Sequence, residues 1–276
     1  MKSRSGISAP TAGESAGRAN SGMNDHDDEV TAGVPLAKLI KRKLAAAPEL
    51  VMLTQPRSVG AEKFRRLKTV LSNEAEESPQ VIVVTSAAPG EGKTLVSANL
   101  ALAFAADRSG EVLLIDADLR RPSVELWLDP PPKLGLAEIL RGKIDLEHAI
   151  LAMTNSPLRI LPAGKRPPDP VELLSSAAAS ELISELRQRY IRIIIDTPPI
   201  VPFTDADVLG ANADGILVVA RSRSTPRSMF MQALAAVTST RLLGTVLNDT
   251  TYSLADRESY FIDKQYRKYY EEERER

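Results

Sequence analysis

Runs of aliphatic residues alternate with amphipathic stretches through most of this chain, from residue 81 to residue 247. The runs are rich in Val, Ile and Leu at successive positions, which is typical of parallel strands buried on both faces. The intervening stretches repeat apolar residues every three or four positions, as helices packed on a sheet do. The predicted strands cover residues 81–85, 112–116, 158–161, 191–196, 215–220 and 243–247. The predicted helices cover residues 61–71, 94–106, 136–140, 146–152, 179–190, 206–211 and 227–236. This order predicts an α/β fold, a mostly parallel sheet with helices on both faces.

The two ends of the chain do not follow this alternation. Residues 1–33 are rich in Ser, Gly, Ala and Asn and carry few large apolar side chains, so we expect them to be disordered. Residues 35–53 have a weak helical pattern that breaks near Pro48 and includes the basic residues Lys38, Lys41, Arg42 and Lys43. That basic cluster fits a solvated helix face or a contact with a membrane surface or an acidic partner. The expected organisation is a disordered or weakly helical segment over 1–48, an α/β domain over 49–250 and a flexible tail over 251–276.

Composition excludes several kinds of site. The chain has no cysteine, so it can form neither a disulfide framework nor a zinc–thiolate site, and it has no cysteine nucleophile. Its two histidines, His26 and His148, are far apart in weakly patterned segments and do not suggest a metal cluster. The formal net charge of −1 gives no reason to expect nucleic acid as a partner. No apolar run approaches the roughly 20 residues that span a bilayer, and no secretion signal is visible, so we expect a soluble cytoplasmic protein.

Residues 87–94, Ala-Ala-Pro-Gly-Glu-Gly-Lys-Thr, have the pattern of a phosphate-binding loop between a strand and a helix. Gly90 and Gly92 allow the backbone to curl with its N–H groups inward, and the helix adds its free N–H groups and positive dipole end. Lys93 offers a charge to the β- and γ-phosphates, and Thr94 offers a hydroxyl to Mg²⁺. The residues expected at the nucleotide are Ala88, Pro89, Gly90, Glu91, Gly92, Lys93, Thr94 and Leu95.

One position departs from this motif. Ala87 stands where the first glycine is usual, and alanine has less conformational freedom than glycine. The alternative to a nucleotide site is therefore a glycine-rich turn that binds no ligand.

Acidic residues follow two further predicted strands. Asp116 and Asp118 point the same way if the strand over 112–116 continues in extended form. One of them can hold Mg²⁺ and the other can orient or deprotonate an attacking hydroxyl, while Arg120 can neutralise a transferring phosphoryl group or clamp an acceptor. Asp196 ends the strand over 191–196 and can hold Mg²⁺ directly or through a water. Each carboxylate could instead be solvated or cap a turn, but three motifs in chain order favour one nucleotide site.

Tyrosine is concentrated at the C-terminal end of the chain. Of six tyrosines, all but Tyr190 lie there, at Tyr252, Tyr260, Tyr266, Tyr269 and Tyr270. Their neighbours are mostly Lys, Arg, Asp and Glu, which is not typical of core positions. A mobile tail with repeated phenol groups suits a phosphoryl acceptor, since each phosphate adds about −1.5 to −2 charge. The alternative is a terminal amphipathic helix that packs its aromatic residues on a partner.

Together these motifs resemble those of the bacterial tyrosine autokinases of capsule and exopolysaccharide export. The resemblance covers about residues 50–276 and rests on residues 87–94 as Walker A, 113–120 as an Asp-x-Asp-x-Arg motif, 193–199 as a Walker B motif ending in Asp-Thr-Pro-Pro, and the tyrosine-rich end. Partitioning and septum-positioning ATPases share the expected fold. They usually carry an additional lysine early in the phosphate loop, which is absent from this chain.

The resemblance implies a protein tyrosine kinase of the MinD-like P-loop NTPase class that uses ATP and Mg²⁺. It implies catalytic roles for Lys93, Asp116, Asp118, Arg120 and Asp196, with Asp118 preferred as the base. Thr94, Asp116 and Asp196 would hold the metal, and Asn248 would contact adenine. The phosphoacceptors would be Tyr260, Tyr266, Tyr269 and Tyr270 of a neighbouring copy.

The resemblance also implies partners. Glu62, Arg65 and Lys68 stand where the family has a Glu-x-x-Arg-x-x-Arg helix that docks on the next subunit of a ring. Lysine lacks the planar fork of arginine, and a pair between Glu62 and Arg65 within the helix is the alternative. A separate membrane modulator of the polysaccharide chain-length (co-polymerase) type would recruit the chain to the inner face of the membrane. Two other functions fit the motifs, a partition or positioning ATPase and a non-catalytic nucleotide-binding regulator of an export complex.

Overall fold

One eight-stranded sheet runs through the computed structural model, which describes residues 40–45, 47–73 and 78–250. Its strands are β1 (Ile40–Arg42), β2 (Val81–Ser86), β3 (Val112–Asp116), β4 (Leu151–Met153), β5 (Leu158–Leu161), β6 (Arg192–Asp196), β7 (Gly215–Arg221) and β8 (Leu242–Asn248). They lie in the order β1-β4-β5-β3-β6-β2-β7-β8, and every neighbouring pair is parallel except β4 with β5. The predicted α/β fold with a mostly parallel sheet is confirmed.

Helices cover both faces of this sheet. They are α1 (Val51–Thr54), α2 (Val59–Asn73), α3 (Lys93–Ala105), α4 (Leu136–Leu140), α5 (Pro170–Leu174), α6 (Ala177–Arg189), α7 (Asp205–Gly210) and α8 (Arg227–Ala235). Successive side chains of β2 enter opposite core layers, as the alternation of a strand requires. Val83 packs in the layer that contains Leu186 of α6, and Ile82 packs in the layer that contains Leu100 of α3.

The register of the central strands determines where the functional motifs meet. Asp196 of β6 lies beside Asp116 of β3 on one side and beside Val84 of β2 on the other. Strands β3 and β6 therefore end at the same level, β2 continues to Ser86, and the loop over 87–92 leaves β2 just beyond that level. Ligands of open α/β sheets bind at the carboxyl ends of the strands, so this edge is the expected ligand site.

Asp214 fixes the opposite end of β2. Its carboxylate accepts the backbone N–H groups of Gln80 and Val81, each at 2.7 Å, and pairs with Arg187 at 2.8 Å. Partial burial alone would raise the pKa of Asp214, but the bonds from Arg187 and the two backbone groups lower it. The ionised form of Asp214 therefore stabilises the start of the central strand.

Two predicted helices are wrong where the structure describes them. Residues 40–42, in the N-terminal segment expected to be disordered or weakly helical, form β1 instead. Residues 146–152, expected to be one helix, form a 3-10 turn (Leu146–His148) followed by β4. These two short strands pair with each other in parallel at the sheet edge, and the sheet buries Leu151 and Met153. Periodicity alone does not separate such short segments from helix.

Two smaller differences concern helices. Helix α5, which begins at Pro170, has no counterpart among the predicted elements. Val70, expected to face inward on the helix over 61–71, is 40% exposed.

No helix within the described residues is long and apolar enough to cross a membrane. The disorder expected over 1–33 and the tyrosine tail over 251–276 lie outside the described residues and stay predictions.

Candidate active site

The loop after β2 has the backbone conformation of a phosphate-binding loop. Gly90 and Gly92 have φ angles of 81° and 91°, in the left-handed region that favours glycine. A Cβ on Gly92 would lie 2.0 Å from the amide nitrogen of Asn248, so space as well as conformation requires glycine there. Ala87 is buried and is not among the described residues with a positive φ. The alanine at this position is therefore compatible with the loop.

Glu91 supports the loop from within. Its carboxylate accepts the N–H groups of Ala87 and Ala88, at 2.8 and 3.0 Å, and the hydroxyl of Thr225. The Asn248 amide donates to the carbonyl of Glu91 at 2.9 Å. Thr225 and Asn248 thus connect the loop to the turn after β7 and to the end of β8. The adenine contact of Asn248 stays a prediction, and the sequence pattern gave no sign of Thr225.

Four predicted site residues converge where the loop enters α3. The Lys93 ammonium lies 2.8 Å from Asp118 Oδ2 and 3.7 Å from Asp196 Oδ2. Thr94 Oγ1 donates to Asp196 Oδ2 at 2.6 Å. Ser97, one turn further along α3, donates to Asp196 Oδ1 at 3.1 Å. The only sequence signal for Ser97 is a polar residue one helical turn after Lys93.

Burial controls the ionisation of this cluster. Burial by itself lowers the pKa of Lys93, but the charges of Asp196 and Asp118 outweigh it, and the pKa is raised above its usual value. Burial and then the Asp196 charge raise the pKa of Asp116 to about 7. Burial also raises the pKa of Asp196, although Lys93 and Thr94 act against it. An excess of buried carboxylates at one edge favours a bound cation.

Asp116 is bonded mainly to the backbone. Its Oδ2 accepts the N–H groups of Ser123 and Val124, at 3.1 and 3.0 Å, and its Oδ1 accepts the N–H of Asp118 at 3.1 Å. These bonds shape the turn that brings Ser123 to within 3.0 Å of the Thr94 hydroxyl. Asp116 therefore positions the turn, and its direct contact with a metal stays a prediction. Ser123 was not anticipated from the sequence.

Arg120 lies in the wall of the site. It donates from Nε and Nη2 to the carboxylate of Asp205, at 3.1 to 3.3 Å, and Asp205 is fully buried at the start of α7. The guanidinium also lies 4.2 Å from the centroid of the Phe203 ring. This pairing fixes the orientation of Arg120. The predicted contact with a transferring phosphoryl group stays a prediction.

A cleft of about 790 Å³ opens above the cluster, within the size range of small-molecule sites. Besides loop residues, Asp118, Arg120 and Ser123, its lining includes Arg121, Leu126, Arg166, Pro199 and Phe203. Of these five, only Pro199 belongs to a motif recognised in the sequence, the one over 193–199. The other four come from connections whose paths no local pattern predicts.

The donors present fit a magnesium ion that is held largely through its substrate. Within the described ranges, no group of three or more His, Asp or Glu side chains has the geometry of a metal site. Mg²⁺ usually takes only one or two carboxylates and completes its shell with phosphate oxygens and waters. The Thr94 hydroxyl and the Asp196 carboxylate supply such a partial set at the end of the loop.

The residues expected to dock on a neighbouring subunit have partners within the chain. Arg65 pairs with Glu62 on α2, which is the alternative that the sequence left open. The Lys68 ammonium lies 2.6 Å from the Asp107 carboxylate. Docking of this helix on another copy stays a prediction.

Comparisons with known proteins agree with this site. The AAA domain family model matches residues 79–235. The tyrosine-protein kinase YwqD of Bacillus subtilis is 36% identical over 218 residues, which cover 78% of this chain and 92% of that protein. The chain belongs to the bacterial tyrosine kinase family. Its kinase function and its P-loop class, both implied by the sequence motifs, are thereby confirmed, and the partition-ATPase alternative is not favoured.

Other relatives of this family differ in length. The putative tyrosine-protein kinase CapB of Staphylococcus aureus is 31% identical over 213 residues, which cover 76% of this chain and 92% of that protein. The succinoglycan biosynthesis transport protein ExoP of Rhizobium meliloti is 33% identical, and the match covers 82% of this chain but only 28% of that longer protein.

Solved structures support the same assignment. The chimerical protein CapA2B2 matches with a TM-score of 0.71 and 31% identity, over 77% of this chain and 95% of that one. The kinase domain of the Escherichia coli tyrosine kinase ETK matches with a TM-score of 0.68 and 30% identity, over 74% of this chain and 83% of that one. The cell division ATPase MinD of Pyrococcus furiosus, at a TM-score of 0.54 and 26% identity over 67% of this chain and 79% of that one, shares the fold. A P-loop protein of this class binds a nucleotide.

Proposed function

We propose that the chain is an ATP- and Mg²⁺-dependent autokinase of capsule or exopolysaccharide synthesis and export, and that it phosphorylates the tail tyrosines of a neighbouring copy. One observation carries the proposal. The Lys93 ammonium lies within 4 Å of both Asp118 and Asp196, and Thr94 donates to Asp196, at a cleft sized for a nucleotide. This set contains a phosphate-binding cation, metal donors and a carboxylate base, which phosphoryl transfer to a hydroxyl requires.

In the proposed reaction, the loop N–H groups bind the phosphates and Lys93 moves from Asp118 to the β- and γ-phosphate oxygens. That movement frees the Asp118 carboxylate, which lies 2.8 Å from the ammonium in this structure. The phenol oxygen of a tyrosine then attacks the γ-phosphorus, the bond to the β–γ bridging oxygen breaks, and ADP leaves. Asp118 accepts the phenol proton. Bound Mg²⁺ would neutralise charge on the phosphate oxygens. Thr94 and Asp196 would hold it, and Ser97 would orient Asp196.

The proposed acceptors connect the reaction to assembly. Phosphates on Tyr260, Tyr266, Tyr269 and Tyr270 would each add about −1.5 to −2 charge to a nearly neutral tail. Accumulated repulsion between tails would then open a ring whose subunits contact one another through Glu62, Arg65 and Lys68. A separate membrane modulator of the polysaccharide chain-length type would recruit and activate the chain at the inner face of the membrane. The names of relatives such as ExoP support a place in polysaccharide transport.

Incubation of the full chain with labelled ATP and Mg²⁺ tests the proposal, with and without a modulator peptide. We expect phosphotyrosine in the tail, loss of labelling in Lys93→Met, and unchanged labelling in Lys143→Met, a matched change at an exposed lysine outside the cleft. Replacing the four tail tyrosines by phenylalanine should leave nucleotide binding intact. Phosphate released only to water would indicate a positioning ATPase. Nucleotide binding without any turnover would indicate a regulatory subunit.

A further inference from the structure

The cleft carries positive charge that the proposed transfer step does not use. Arg121 and Arg166 line it from two separate connections, one after β3 and one after β5. Both side chains are exposed, and neither guanidinium forms an ion pair with any residue that the structure describes. Arg120, in contrast, is paired with Asp205. We call Arg121 and Arg166 the basic rim.

Apolar groups lie in the same cleft. Leu126, in the 3-10 turn Val124–Trp127, is 77% exposed. Pro199 and Phe203 face the cleft from the connection after β6. We call these three residues the apolar wall. The phosphates of a nucleotide need neither the basic rim nor the apolar wall, since the loop and Lys93 supply their contacts.

A ligand that satisfies both surfaces is aromatic and flanked by anions, and the chain itself contains such a segment. Tyr269 and Tyr270 are followed directly by Glu271, Glu272 and Glu273. Tyr266 is followed instead by Arg267 and Lys268, which the basic rim would repel. The charges of the residues that follow each tyrosine therefore favour Tyr269 and Tyr270 over Tyr266 at the basic rim.

We propose that the basic rim and the apolar wall form an acceptor subsite that selects tyrosines followed by glutamates in the tail of a second copy. The proposal rests on the kinase function proposed above and deepens it by naming the acceptor class. The phenol ring lies on the apolar wall beside Asp118, and the following carboxylates bind the two guanidinium groups. Tyr269 and Tyr270 are consequently phosphorylated before Tyr266, and their phosphates then offset the charge of Arg267 and Lys268.

Binding of a fluorescent peptide tests the subsite independently of turnover. The probe is a peptide of residues 266–276, compared by anisotropy with the same peptide carrying Gln at 271–273. The protein is the full chain with ADP, in which its own Glu271, Glu272 and Glu273 are replaced by glutamine so that its tail does not compete. We expect the Gln peptide to bind about tenfold more weakly, because two exposed ion pairs are lost. The difference should shrink at about 0.5 M salt.

The variant Arg121→Gln/Arg166→Gln should weaken binding of the acidic peptide by the same factor. The matched control, Arg57→Gln/Arg227→Gln, removes two exposed arginines that do not line the cleft and should bind the peptide as the parent does. Equal binding of the two peptides, or equal behaviour of the two double variants, overturns the subsite. Weaker ADP binding with unchanged peptide binding in the rim variant would assign the arginines to the nucleotide and also overturn it.

Mass spectrometry of the full chain during phosphorylation provides the second readout. We expect phosphate at Tyr269 and Tyr270 before Tyr266, and loss of that order in the rim variant. Early phosphate at Tyr266 contradicts the subsite even though the chain is a kinase. Absence of phosphotyrosine together with selective peptide binding would refute the proposed autokinase reaction and leave the acidic-peptide subsite standing.

Discussion

Replacing Asp196 by asparagine should stabilise the nucleotide-free chain while abolishing phosphoryl transfer. Asp196 is fully buried and lies beside Asp116 on the adjacent strand. Its two carboxylate oxygens accept hydrogen bonds from the hydroxyl groups of Thr94 and Ser97. Because a hydroxyl can donate or accept a hydrogen bond, rotation of one of these two hydroxyls lets the asparagine amide keep both hydrogen bonds. The substitution thus removes a charge without leaving a buried polar group unpaired.

The expected gain follows from the ionisation of Asp116. Burial, and then the Asp196 charge, raise its pKa from 3.8 to about 7. At about 1.4 kcal/mol per pKa unit, this opposes folding by about 4 kcal/mol once Asp116 is ionised. Burial is the larger cause and persists in the variant, so Asp196 contributes the smaller part of this amount, on the order of 1 kcal/mol. Lys93 loses the largest of its favourable charges and keeps Asp118 at 2.8 Å. The net effect stays stabilising, because the pKa of Asp196 is raised by burial even with Lys93 beside it.

The sign of the pH dependence is also determined. A carboxyl whose folded pKa lies above its unfolded value destabilises the fold only when it is ionised. The advantage of Asp196→Asn is therefore greatest above about pH 7 and disappears as the pH falls towards about 4. Urea unfolding in EDTA across this range measures it, and the absence of divalent cations keeps the carboxylates unscreened.

Asp214→Asn is the matched control because its carboxyl has the opposite shift. Its pKa is lowered by Arg187 and two backbone groups, against the effect of burial, so its ionised form stabilises the fold. That contribution is present above the unfolded pKa and lost as the pH falls through the folded one, so the variant should be less stable than the parent near neutral pH. If both asparagine variants lowered the stability at about pH 8, the argument from carboxylate repulsion would be refuted.

Two further substitutions address the loop and the proposed ring. Gly92→Ala should lower the free energy of unfolding by about 1 to 2 kcal/mol, because the φ angle at this position is left-handed. It should also weaken nucleotide binding, because the new Cβ displaces Asn248. Unfolding curves and labelled-nucleotide titration measure the two effects, and parental behaviour in both would contradict the loop geometry. Lys68→Ala and Asp107→Ala break the same ion pair and should each change stability by less than about 1 kcal/mol. Only Lys68→Ala should dissociate a ring in sedimentation velocity, and identical sedimentation of the two variants would count against Lys68 as a subunit contact.

Much of the nucleotide edge follows from local sequence. The run from Val81 into the loop, and the aspartates at the ends of β3 and β6, are recognisable because a buried parallel strand needs a continuous apolar run. A parallel sheet then brings the carboxyl ends of such strands together, whatever their separation along the chain. Lys93, Thr94, Asp118 and Asp196 could be assigned to one site for this reason, and the structure places them in contact.

Other features depend on contacts between distant parts of the chain. The strands β1 and β4 exist because each gains a backbone partner at the sheet edge, which outweighs a weak helical pattern. Arg120 turns to Asp205, and Asn248 reaches the carbonyl of Glu91, across sequence separations of 85 and 157 residues.

The sequence by itself determined the layered α/β fold, the phosphate loop and the acidic strand ends of this kinase, because each is encoded in a short run of neighbouring residues. Only the tertiary structure decided which arginines remain available in the cleft and which are neutralised. Arg120 and Arg121 are adjacent in sequence, yet one is bound to a buried carboxylate and the other is exposed. The physical reason is that the charge available to a ligand depends on partners that the fold brings from other connections, and no local pattern records them.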